Sequence, residues 1–66
     1  MKSLRLPKEL YRLEMIQKTI QEFGALAHMR VKDSNDNWEV LFSRCRYGVE
    51  KTVSEFENYL ICLENI

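Results

Sequence analysis

Val49, Val53, Phe56, Leu60 and Leu63 recur at intervals of four and three residues, the spacing of one apolar stripe along a helix. Glutamates and Lys51 occupy the remaining faces of the same segment. A helix of this kind is not stable alone in water and needs an apolar surface to sit on. The rest of the chain has to supply that surface. The helix start is open: it lies at Val49, or later if Thr52 with Glu55 or Ser54 with Glu57 forms a capping box.

A second helical stripe runs from Pro7 to Phe23 through Leu10, Leu13, Ile16, Ile20 and Phe23, with Tyr11 and Met15 on its shoulder. Pro7 suits a first helical turn, and Glu9 suits the positive end of the helix dipole. Glu14 and Lys18 are spaced as an i,i+4 ion pair. Gly24 follows the last apolar residue, where a left-handed C-terminal cap favours glycine.

Between the helices the period falls to two. Ala25, Ala27, Met29 and Val31 point one way, with Leu26, His28, Arg30 and Lys32 opposite. From Trp38 to Cys45, the apolar Trp38, Val40 and Phe42 alternate with Glu39, Leu41 and Ser43. Asp33-Ser34-Asn35-Asp36-Asn37 separates the two runs with turn-forming side chains, so the pair reads as a β-hairpin. Ser3-Leu4-Arg5-Leu6 also alternates before Pro7 and is compatible with a short first strand. The expected architecture is α+β in a single domain over 1–66. It is βαββα if the first strand forms and αββα otherwise, with two helices on one face of a short antiparallel sheet. In a split β-α-β arrangement, the strand from Trp38 lies between Leu4–Leu6 and the strand from Ala25.

Ten basic and ten acidic residues cancel, but not evenly along the chain. Up to Arg30 there are six basic and three acidic residues, and from Val31 four and seven, giving +3 and −3. There is no basic stripe interleaved with exposed aromatics, so no nucleic-acid partner is expected. No apolar run approaches a membrane span, and the N-terminus lacks the apolar core of a signal peptide. Cys45 and Cys62 are too few for a disulfide framework and have no zinc-ligand spacing. A cytoplasmic, reduced setting with no membrane partner follows as the expectation.

Few residues have the spacing of chemistry. His28 is the lone histidine, beside Arg30 on the polar face of its strand. Glu55 and Glu57, two apart on a helix, point away from each other and make no carboxylate pair. Arg44 and Arg46 flank a strand end and have the charge to hold an anion between them. No metal, cofactor or catalytic residue is expected, and a small thiol- or histidine-dependent enzyme is the less favoured class. Asn58, off the apolar stripe, and Tyr59, on its border, are candidates for a docking surface.

Leu10-Tyr11-Arg12-Leu13-Glu14-Met15-Ile16 and Glu55-Phe56-Glu57-Asn58-Tyr59-Leu60 resemble the opening and closing helices of the HxsD-like proteins. The resemblance runs roughly from Leu4 to Leu63 in the order strand, helix from the tyrosine, hairpin, closing helix. Those proteins are small accessory members of the His-Xaa-Ser system, which includes radical SAM maturation proteins and a repeat-bearing substrate. The resemblance implies a non-enzymatic accessory or peptide-binding role. The implied partner is a radical SAM maturation protein or its peptide substrate. It supplies no catalytic residues; Tyr11, Phe56, Asn58 and Tyr59 match its recognisable positions. The alternative is a generic homo-oligomeric interaction domain, a homodimer being the simplest form. In either case the expected contact is an exposed sheet edge at Leu4, Arg5 and Leu6, with Tyr11, Asn58 and Tyr59 as further partner-binding candidates.

Overall fold

The computed structural model describes residues 2–65. Its elements run β1 (Lys2–Pro7), α1 (Leu13–Glu22), β2 (His28–Ser34), β3 (Asn37–Ser43) and α2 (Val49–Glu64). The fold is α+β, βαββα. The sheet has the order β1-β3-β2 with both pairings antiparallel, so β3 is central and β1 and β2 are edges. The expected place for β3, between the other two strands, is the observed one.

Register explains the layers. Leu6 pairs with Trp38, Leu4 with Val40, Val31 with Val40 and Met29 with Phe42. Paired residues share a sheet face, so these side chains form one apolar surface. α1 lies over β2 and against α2, which lies over β3. Leu6, Ile16, Phe23, Ala27, Met29, Val40, Phe42, Phe56 and Leu60 form the buried core. Phe56 sits at its centre, edge-to-face with Phe42 at 5.2 Å and with Phe23 at 5.7 Å between ring centroids. That geometry sets the positive edge of one ring against the negative face of another.

The first helix is shorter than the apolar spacing suggests. Pro7 is a strand residue opposite Asn37, and the Lys8 N–H donates to the Asp36 carbonyl at 2.9 Å. The chain is thereby held at the sheet through Lys8. The Leu10 and Tyr11 N–H groups then both donate to the Pro7 carbonyl, making a turn before α1 begins at Leu13. Leu10 consequently lies outside the helix and is 68% exposed. Leu13 is half-buried, while Ile16, Thr19 and Phe23 carry the buried face, flanked by Met15 and Ile20. Glu14 and Lys18 form no ion pair; the pairs among the described residues are Lys8–Asp33, Arg12–Glu64 and Lys32–Glu39.

Two buried threonines were hidden by their polarity. Thr19 Oγ1 donates to the Met15 carbonyl and Thr52 Oγ1 to the Gly48 carbonyl, each at 2.8 Å. Bonding back one turn satisfies the hydroxyl and leaves the methyl to pack. Thr52 is therefore an interior residue of α2 and not a cap. The helix starts at Val49 after Gly48, whose φ of 96° is strained for any side-chain-bearing residue. Gly24, expected as a left-handed cap, has no positive φ. The chain instead leaves α1 through a turn in which the Leu26 N–H donates to the Phe23 carbonyl at 2.9 Å. β2 thus begins at His28, three residues later than the alternation at Ala25. At the hairpin the strands pair up to Ser34 and Asn37, so the loop is only Asn35-Asp36. Asn35 takes φ 58°, a conformation asparagine tolerates.

Candidate functional site

β1 pairs with β3 along one side only. Its other side presents main-chain N–H and C=O groups with no strand beside them among the described residues, which is the property that lets a further strand add. Along β1, Leu4 and Leu6 face the helices, and Ser3 and Arg5 face the open side of the sheet. Leu6 is 1% exposed and belongs to the core, so only its main chain can meet a partner. Leu4 is half-buried and Arg5 exposed, so both keep side-chain surface at the edge.

In the turn that follows this strand, Leu10 and Tyr11 line a pocket of about 210 Å³ with Ile61, Glu64 and Asn65. It exists because α2 passes the start of α1. The Arg12 N–H donates to Glu64 Oε2 at 2.7 Å, and Arg12 Nε to Glu64 Oε1 at 3.2 Å. Glu64 thus places a carboxylate at the positive end of α1, from 52 residues away in the chain. Leu10 and Ile61, the latter 40% exposed, form an apolar rim beside Tyr11. Leu10 reads as a core residue in the sequence because it fits a helical stripe that the turn interrupts. Ile61 carries the recoverable signal, as a large apolar side chain off its helix's stripe.

The six expected residues do not converge on one spot. Leu4, Arg5 and Leu6 share β1, and Tyr11 lies past its Pro7 end. Tyr59 packs edge-to-face on Phe23 at 5.7 Å, against the opposite end of α1. It is 37% exposed, a margin of the core. Asn58 is exposed on the same helix.

Charge is sorted by layer more than by half of the chain. The open sheet face carries the cations Arg5, Arg30 and Lys32, with His28 on the same face, around Glu39, the one acidic residue there among the described residues, which pairs with Lys32 at 3.6 Å. α2 carries Glu50, Glu55, Glu57 and Glu64 against Lys51. At the other end of the sheet, Gly24, Ala25, Leu26, Ala27, His28, Arg44 and Arg46 line an open groove of about 360 Å³. Neither cysteine lines it; Cys45 packs against the core, Cys62 is exposed, and both are free thiols. Among the described residues no three His, Cys, Asp or Glu side chains are grouped to hold a metal ion. No helix among them is long and apolar enough to cross a membrane.

The fold and its edge define a small two-layer α+β domain with one face of its sheet uncovered. No protein family, curated protein or solved structure matches the chain.

Proposed function

We propose that this chain is a non-enzymatic peptide- or protein-binding module whose partner adds to the outer edge of β1. The observation that carries this reading is the unpaired side of a six-residue strand at the edge of the sheet. Main-chain hydrogen bonds would supply affinity, and flanking side chains would supply selectivity. Arg5 and the cationic open face favour an acidic segment. The Leu10–Tyr11–Ile61 pocket, in the turn that follows β1, offers an apolar surface for an anchoring side chain.

The resemblance of the opening and closing helices to HxsD-like proteins gives the partner a chemical identity. On that reading the chain is a cytoplasmic accessory component of a radical SAM peptide-modification system, and it binds the maturation protein or its peptide substrate. Calorimetry with a purified radical SAM maturation protein of the His-Xaa-Ser system tests the assignment. Saturable binding weakened by Arg5→Glu is expected. Absence of binding would remove the assignment.

The same edge also favours a homodimer, because two copies of β1 could pair antiparallel about a two-fold axis and extend the sheet. Sedimentation across a concentration series separates this reading: a dimer that dissociates on addition of the maturation protein places both on one edge.

A further inference from the structure

We infer that the groove between the α1–β2 turn and the β3–α2 link is a binding site for an oxyanion, either a carboxylate or a phosphate. Two arginines, Arg44 and Arg46, are among its lining residues together with the exposed His28, and no Asp or Glu is. None of the three takes part in an ion pair among the described residues. Guanidinium groups are forked, permanently charged donors suited to planar or tetrahedral oxyanions, and a nearby anion relieves their mutual repulsion.

The backbone makes the groove accessible and fixes its walls. Gly24, Ala25 and Ala27 put nothing larger than a methyl group into the space. The Arg46 N–H donates to the Leu26 carbonyl at 2.8 Å, tying the arginine-bearing link to the opposite wall. The Arg46 guanidinium lies 5.9 Å from the Tyr47 ring centroid, a contact that restrains its position. Arg44 has φ 52°, a left-handed conformation that glycine adopts at lower cost. What arginine contributes at that position is therefore its side chain. The site stands apart from the β1 edge and does not depend on the edge-binding reading: it is built from the α1–β2 turn, the start of β2 and the β3–α2 link.

The test is amide chemical-shift titration of the full chain at low ionic strength with inorganic phosphate and, separately, with hexaglutamate. Saturable shifts at Gly24, Ala25, Ala27 and His28 are expected, weakening with added salt. Arg44→Gly and Arg46→Gln should each weaken binding about tenfold, as expected for losing a charge-assisted contact. Arg44→Gly should leave the melting temperature unchanged or raised, because it relieves the positive φ; this separates a binding role from a folding role. Saturation by phosphate alone assigns a phosphoryl group, and by hexaglutamate alone an acidic segment. Saturation by both assigns the one that binds at lower concentration. Shifts that fail to saturate, that spread over Arg5, Arg30 and Lys32, or that survive both substitutions overturn the assignment.

Discussion

Replacing Glu64 with alanine removes a tertiary cap that the structure places at the start of α1. Two interactions are lost, and their environments set their sizes. The bond from the Arg12 N–H, 2.7 Å long, puts a carboxylate at a helix N-terminus. Caps and dipole interactions of that kind contribute about 1 kcal/mol. The bond from Arg12 Nε is 3.2 Å long and joins a side chain 60% exposed to one 12% exposed. Solvent screens that arm, which leaves about 0.5 kcal/mol. Glu64→Ala should therefore cost about 1.5 kcal/mol, and Arg12→Ala, which keeps the backbone donor, about 0.5 kcal/mol. In a domain of this size that loss lowers the melting temperature by about 6–12 °C. Urea unfolding followed by the fluorescence of Trp38 gives both values and, with the double variant, their coupling. A Glu64→Ala protein within about 0.3 kcal/mol of the parent would show that the clamp does not form in solution. A larger loss from Arg12→Ala than from Glu64→Ala would reverse the partition argued above.

Phe56→Ala should cost about 3–5 kcal/mol, most or all of the stability of so small a domain, because it empties a fully buried site between Phe23 and Phe42. An equally stable variant in urea unfolding would mean that the core is centred elsewhere. Gly48→Ala should destabilise by about 1 kcal/mol, since the methyl meets no neighbour but φ is 96°. Gly24→Ala should be neutral or slightly stabilising, because the added carbon would lie 3.4 Å from the Gln21 carbonyl oxygen, an ordinary contact. The order of the two melting temperatures checks both statements, and a reversal would contradict the backbone assignment at each glycine.

The hairpin and the closing helix were legible because their periodicities have one solution. Trp38, Val40 and Phe42 can face one side only if the segment is a strand, and Val53, Phe56 and Leu60, three and four residues apart, share a face only on a helix. The start of α1 was not legible. Pro7 and Leu10 satisfy helix rules locally, but the Lys8 N–H bond to Asp36 holds that segment at the sheet. Propensity yields there to a tertiary hydrogen bond. Gly24 and Gly48 are alike in sequence, and only the path of the chain decides which one needs a positive φ. Of the candidate site, the strand bearing Leu4 and Arg5 could be read from four alternating residues. The pocket beyond it could not, since it depends on Glu64 reaching Arg12. Arg44 and Arg46 stood out by charge, but not the small-residue wall that faces them.

Amide hydrogen exchange across β1, with and without the proposed partner, a purified radical SAM maturation protein, tests partner addition most directly. Edge-strand amides that gain a partner's carbonyls exchange more slowly, whereas contact through side chains elsewhere leaves them unchanged. Slowed exchange within Lys2–Leu6 on binding is expected, with β3 amides little altered because they are already paired. Slowing that appears with rising protein concentration alone would assign the edge to a second copy. Binding that leaves Lys2–Leu6 unchanged and instead perturbs the exposed face of α2 around Asn58 and Tyr59 would contradict edge addition.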